Sequence, residues 1–362
     1  MICMRLEFTE ALAKARKTRQ LDCRGVVTLL RAQGEETAAL FRAADEVRAQ
    51  FLGKEVHLRG IIEFSNYCRQ NCHYCGLRRD NRRLPRYRLS SAEILAAAQK
   101  AVEMGLPTIV LQAGEDPGFP ASLVAEIIRR LKEDLGVAAV TLSLGEHSWR
   151  DYERWRKAGA DRYLLKHETA DPVLFARLRP GTALRRRLQR LQWLRELGYQ
   201  IGSGNIVGLP GQDEEILAAD VLLLKELAVE MAGIGPFVPH PQTPLAGAPP
   251  GEAALTLKVL AVTRLLLPRA HLPATTALAA AHPQGRRLGL CSGANVIMPD
   301  VTPAPYRYCY EIYPGKARPG EEVETILSSL RSLIVSLNRE VGRGPGHAPE
   351  YREAVFGRSL GR

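Results

Sequence analysis

The sequence predicts an α/β fold, a (β/α)8 TIM barrel with an N-terminal helical extension. Two observations predict it. Between Val56 and Met298, eight short apolar runs alternate with amphipathic helical stretches, the size and rhythm of a barrel of about 250 residues. A polar motif rich in Gly and Pro follows each run, and a barrel gathers its chemistry at the C-terminal ends of its strands.

Ahead of the barrel, residues 8–50 read as helices. The stretches "TEALAKARK" and "GEETAALFRAADEVRAQFLG" carry apolar residues at helical spacing. The strand candidates are Val56–Phe64, Thr108–Gln112, Ala138–Leu144, Arg162–Leu165, Gln200–Val207, Met231–Ile234, His271–Ala274 and Ala294–Met298. Helical patterns such as "SSAEILAAAQKAVEMG", "PASLVAEIIRRLKEDLG", "WRDYERWRKAG" and "DEEILAADVLLLKELAVE" separate them. Several begin at a Ser or Asp cap and stop at Gly. A cysteine-rich loop follows the first run. Then come "QAGEDPG", "SLGEH", "KHETADP", "NIVGLPGQD", "GPFVPHPQTP", "TTAL" and "MPDVTP". An open doubly wound sheet also alternates, but seldom through eight such regular units. The expected division is a helical segment over 1–55, the barrel over 56–320, and a C-terminal helix and tail over 321–362 that complete it.

The bulk numbers narrow the class. The chain has 362 residues, 46% hydrophobic and 25% charged, which is ordinary for a globular protein. No uncharged apolar run reaches membrane-spanning length. The opening "MICMRLEFTEALAKARK" mixes charge with apolar residues and does not read as a secretory signal, so the expected compartment is the cytoplasm. Lys and Arg number 50 against 39 Asp and Glu, with a pI near 9.5. The arginines spread along helical stretches, as in "RRLPRYR" and "LRRRLQRLQWLRELG", with few aromatics between them. That pattern reads as a solvated basic face, with an acidic protein partner next and nucleic acid last.

Seven cysteines are too few for a disulfide scaffold in a chain this long. Cys3, Cys23, Cys291 and Cys309 are scattered and read as small packing residues. Cys68, Cys72 and Cys75 instead fall within eight residues, in "FSNYCRQNCHYCGLRRDN". A structural zinc takes four ligands, and His73 lies too close between two cysteines to complete a set comfortably, though a distant fourth ligand would do so. A four-iron, four-sulfur cube held by three thiolates keeps one iron open for a ligand. His147 and His240 stand singly, without ligand spacing, and read as loop residues.

The Cys-x3-Cys-x2-Cys spacing, with Tyr74 just before the last cysteine, resembles the radical S-adenosylmethionine (SAM) superfamily. In that superfamily the open iron chelates SAM, and an electron from the reduced cluster releases a 5′-deoxyadenosyl radical. The likeness narrows beyond the cysteines. "SNYCRQNCHYCGLRRDNRRLPRYRL", "IVLQAGEDP", "VTLSLGE", "GADRYLLKHETADPVL", "GLPGQ", "MAGIGPFVPHPQTPLA", "PATTAL" and "GANVIMPDVTPAPYR…YEIYPGK" are similar to the HydE family, maturases of iron-iron hydrogenase. The resemblance runs from Val56 to Lys316 and is loose outside that span.

The resemblance implies a radical SAM barrel in which Cys68, Cys72 and Cys75 hold one [4Fe-4S] cluster. Tyr74 would lie near the adenine of SAM. Glu168 and Arg187 would bind its amino-acid and ribose parts, in keeping with carboxylate and guanidinium recognition. Ser143 and Met298 would face the cofactor from strand ends. Thr141, Lys166, Thr275 and Thr276 would line a deeper anion- or substrate-binding part. Lys166 stands where the family generally carries Arg, which keeps the charge and loses the bidentate fork. Each has a plain alternative: Arg187 as one more exposed charge, Met298 as core, Thr275–Thr276 as a strand end.

Some members of the family hold a second cluster through three further cysteines near the C-terminus. This chain has none after Cys309, so a single cluster is expected. The implied substrate is a small organometallic iron complex bearing cysteine, carbon monoxide and cyanide, whose sulfur the radical attacks. The implied partner is the scaffold GTPase of hydrogenase maturation, with no nucleic acid and no membrane. A lysine mutase making methylornithine shares the fold and the cysteine loop. A biotin-synthase-like sulfur insertion needs a second cluster for which later strands offer no cysteines. A non-enzymatic iron–sulfur or nucleic-acid-binding protein leaves the barrel-rim motifs unexplained.

Overall fold

The computed structural model describes residues 4–316, 321–349 and 351. Cys3, the "ARPG" stretch after Lys316, Glu350 and the residues after Tyr351 lie outside them. Three helices precede the barrel, Leu6–Thr18, Cys23–Leu30 and Gly34–Leu52, one more than the apolar spacing suggested. They pack on the helices Glu214–Glu226 and Ala253–Leu266. Arg264 of the second of these, with no exposed surface, ties its helix to the barrel by donating to the carbonyls of Gly293 and Ala270.

The strands are β1 (Glu55–Leu58), β2 (Gly60–Ser65), β3 (Thr108–Ala113), β4 (Ala139–Ser143), β5 (Arg162–Leu164) and β6 (Gln200–Ser203). They continue as β7 (Ile206–Val207), β8 (Met231–Ala232), β9 (Gly235–Pro236), β10 (Val296–Ile297) and β11 (Glu340–Val341). A parallel sheet runs β2-β3-β4-β5-β6-β8. Single bridges carry it round: Met231 to His271, then Pro273 to Val296 of β10, which pairs in parallel with β1. Ile61 of β2 also bridges Asp300, and the barrel is closed.

Several predicted strands divide. The run Val56–Phe64 turns a corner at Arg59, so that β1 pairs below with β10 and β11 while β2 pairs above with β3. Gln200–Val207 splits because β6 follows β8 only to Ser203, after which β7 pairs with β9 as a separate ladder. The seventh run, His271–Ala274, is not a regular strand. Pro273 has no N–H to give a ladder, and the Leu272 N–H goes to the Asn295 side chain at 3.0 Å.

Helix starts follow the local chemistry expected of them. Ser90 with Glu93, and Ser148 with Asp151, form reciprocal capping boxes, and Asp171 and Asp213 cap the helices after them. The barrel floor was not foreseen in detail. After the helix Val323–Ser336, β11 pairs with the start of β1, and the following residues run beneath the strands. There the Gly346 carbonyl accepts from Arg59 at 3.1 Å, Pro345 accepts from Arg162, and the Ala348 N–H donates to Gln200 at 2.9 Å. Among the described residues no helix is long and apolar enough to cross a membrane.

Candidate active site

The cysteine loop leaves the top of β2 and is held by side chains that take up its carbonyls. Arg86 reaches into the loop and donates to Leu77, Arg78 and Asn81 at 3.0, 2.8 and 3.1 Å, and to Asn66. The first basic stretch is thus partly a scaffold and not wholly a solvated face. Asn81 donates to the Gly76 carbonyl at 2.7 Å. The loop is pinned outward by His73 N–H to Leu178 and Gly76 N–H to Ile312, both 2.9 Å. Gly76 is required by close approach: a Cβ there would stand 2.1 Å from the Glu311 carbonyl and 2.6 Å from the His240 ring. His240 therefore backs the cysteine loop. His147 packs on Trp155 with ring centroids 4.8 Å apart.

Cys68, Cys72 and Cys75 line one cavity of about 280 Å³. Burial, chiefly, pushes the Cys68 thiol up to about 11 and raises the other two, so the thiols are neutral until a cation ionises them. No three His, Cys, Asp or Glu side chains among the described residues are gathered as for one metal ion. Three spaced thiols suit a cube whose irons take one each.

Facing the thiols, Glu168 adopts φ of 68°, a left-handed conformation rare for a side-chain-bearing residue. Its N–H donates to Gly204 at 2.9 Å and its carbonyl accepts from Ile206 at 3.0 Å, which clamps the strained turn. Arg187 is buried, at 3% exposure, and not one of the exposed arginines of its helix. It donates to Glu146 at 2.8 Å and to the Lys166 carbonyl at 3.0 Å, while its Nη2 has no partner among the described residues. Ser143 and Tyr74 complete this wall, with Tyr74 seated against Leu174, Leu178 and Phe237.

Arg179, Glu115 and Glu146 were not singled out from the sequence. Arg179 donates to the Tyr74 hydroxyl at 2.9 Å, and its Nε is buried without a partner. Glu115 accepts from Gln70 at 2.5 Å and from Arg69 at 3.1 Å, tying the cysteine loop to the loop after β3. The two glutamates sit in "QAGEDPG" and "SLGEH", so their loops were legible and their roles were not. A pocket with three thiols, a constrained carboxylate and two guanidinium groups holding unpaired buried nitrogens fits an iron–sulfur cluster and a zwitterionic ligand.

Thr141, Lys166, Thr275, Thr276 and Met298 line a second, deeper cavity of about 800 Å³. Met298 lies on this wall and not among the residues of the cysteine pocket. Thr275 also caps the helix Thr276–Ala281, accepting from the Leu278 N–H at 3.3 Å. Lys166, Gln112 and Tyr313 border both cavities. Burial pushes Lys166 below the usual ammonium range, against the pull of Glu168. A buried ion group also stands on the deep wall: Lys316 pairs with Glu63 and, at 3.0 Å, with Asp300. A lone carboxylate inside the apolar run "GIIEFS" was the signal for it.

The radical SAM superfamily profile matches residues 62–224. A relative from Thermotoga maritima, the [FeFe] hydrogenase maturase subunit HydE, is 52% identical over 88% of this chain and 90% of its own length. The 3-methylornithine synthase of Methanosarcina acetivorans is 29% identical over 80% of this chain and 81% of its own. A crystal structure of methylornithine synthase superposes with a TM-score of 0.79 at 26% identity, covering 92% of this chain and 97% of that one. The pocket of three thiols at the mouth of a closed parallel barrel is the setting for that kinship, and the chain belongs to the HydE family of [FeFe] hydrogenase maturases, within the radical SAM enzymes.

Proposed function

We propose that this maturase acts on a small cysteine-bound iron carbonyl cyanide complex in assembly of the di-iron site. The observation that carries the reading is the shared wall. Lys166 borders both the cysteine pocket and the deeper cavity, so a cation stands where a radical made in one would meet an anion held in the other. Cys68, Cys72 and Cys75 would hold a single [4Fe-4S] cluster. When bound, the cluster with SAM supplies a 5′-deoxyadenosyl radical. Arg187, through its unpaired Nη2, and Glu168, fixed by its backbone, would orient the charged ends of SAM. Tyr74 and Ser143 would flank it. Thr141, Thr275 and Thr276 would offer hydroxyls to the complex, beside Lys166 and Met298. The plugged floor closes the bottom of the barrel to water.

The same reading treats residues 1–55 as a helical extension, 56–320 as the catalytic barrel and 321–362 as the segment that closes it. It sets the reaction in the cytoplasm and passes the product to a scaffold GTPase. The likeness to 3-methylornithine synthase supports one rival, a lysine mutase. The test is anaerobic reconstitution with iron and sulfide, EPR spectra with and without SAM, and 5′-deoxyadenosine release in the presence of the iron complex or lysine. Release stimulated by the complex supports the maturase substrate. Release driven by lysine sinks it.

A further inference from the structure

The deeper cavity has walls that the cysteine pocket lacks. Besides the lumen residues Arg59, Thr141 and Lys166, it is lined by Ala280 and Arg287 on one flank and by Ser329 on the other. Ala280, Arg287 and Ser329 are exposed, whereas Arg59 and Thr141 are buried at 4% and 3%. Among the described residues one continuous space therefore runs from the middle of the barrel to solvent. It leaves between the short helices Thr276–Ala281 and Gly285–Cys291 and the C-terminal helix Val323–Ser336. Arg287 donates to Ser336 at 3.3 Å across one end of this cleft.

The two cavities stand in series along the barrel axis. Lys166, Leu164 and Tyr313 border both spaces and form the neck between them, which a ligand filling the cysteine pocket would cover. With a single mouth, the inner reactant would have to enter first and leave last. We infer that the side cleft is a second entrance, through which a small anion loads and empties the deeper cavity while SAM occupies the cysteine pocket. The charges along the route favour that class. Arg286 and Arg287 stand at the rim, and Lys166 and Arg59 lie within. Of the carboxylates that line it among the described residues, Glu63 and Asp300 are tied to Lys316, and Glu321 is the third, at the rim. The inference rests on the two cavities and holds whatever complex the enzyme acts upon.

The test reads access and not turnover. Thr141→Cys places a near-isosteric thiol in the lumen, and its modification by sulfonatoethyl methanethiosulfonate is followed by peptide mass mapping on cluster-loaded protein. Ala280→Trp with Ser329→Trp narrows the cleft at two exposed positions, and thermal unfolding and SAM affinity of that variant report that it is folded. The tryptophan pair should slow modification by at least about tenfold, while saturating SAM changes it by less than about twofold, since gated access spans decades in rate. Slowing by SAM, with or without slowing by the tryptophans, overturns the separate entrance, and so does slowing by neither. In the unblocked protein the anionic reagent should outpace its trimethylammonioethyl counterpart once each is normalised to a free thiol. The reverse order overturns the anionic class.

Discussion

Replacing Arg187 with methionine tests the anchor of the cysteine pocket. Methionine keeps the packing of the stem and removes the guanidinium fork. The change strips two hydrogen bonds, 2.8 Å to Glu146 and 3.0 Å to the Lys166 carbonyl, and the one Nη2 donor left unpaired. Glu146 is not stranded, because Arg190 pairs with its other oxygen at 3.1 Å. The folding cost is thus that of two charge-assisted bonds, about 1.5–3 kcal/mol each, without the further penalty of an orphaned buried charge. The binding cost is one such bond to the ligand, again about 1.5–3 kcal/mol, or roughly 10- to 150-fold in Kd. The assay is anaerobic equilibrium binding of SAM to cluster-loaded protein, with thermal unfolding of the same samples. Arg187→Lys should fall between, since it restores charge without the fork. A well-folded methionine variant whose Kd for SAM stays within about threefold of the parent would refute the reasoning.

Three further outcomes follow from the packing. Trp155→Ala, at 1% exposure and with its indole N–H donated to Ala121 at 2.9 Å, should lose about 3–5 kcal/mol in urea unfolding; a loss under about 1 kcal/mol would show that the layer it fills collapses freely. Gly76→Ala should retain little iron after reconstitution, whereas Gly247→Ala, where a Cβ meets nothing within 4 Å, should load about four irons per chain like the parent; equal loading by both would remove the close-approach argument. Burial raises the Asp116 carboxyl, but bonds from Arg88 at 2.7 Å, Ser65 at 2.6 Å and the Gly118 N–H at 2.8 Å outweigh it and hold the folded value below the ordinary one. Its contribution is then complete above the unfolded value of about 3.9 and is lost as pH falls through the folded value. Asp116→Asn should be less stable at neutral pH and converge on the parent in the acid range, and a deficit constant with pH would contradict the sign.

What was legible in the chain was local. Cysteine spacing, capping residues and the motif after each strand lie within a few residues of one another, and the barrel and its thiol pocket follow from them. What escaped was made by distant partners. Arg187 is singled out by motif resemblance, since helical spacing alone makes it look like its exposed arginine neighbours, and only Glu146, from another loop, shows it to be internal. Arg179 carries no motif, and its place beside Tyr74 exists only once the chain has closed. The corner at Arg59 left no mark in an unbroken apolar run. The seventh strand fails for a reason present in the sequence, the missing N–H of Pro273, yet its register with Asn295 is not.

The pairing of β1 with β11 also sets an order in time. Strand β1 lies just ahead of the cysteine loop, and its floor partner, Glu340–Val341, is among the last parts of the described chain to leave the ribosome. Contacts that close such long loops form late and slowly. The thiols of Cys68, Cys72 and Cys75 are therefore made long before the floor beneath them exists. On the proposed reading, insertion of iron and sulfide into a finished pocket would follow translation, and the three thiols would have to stay reduced until then.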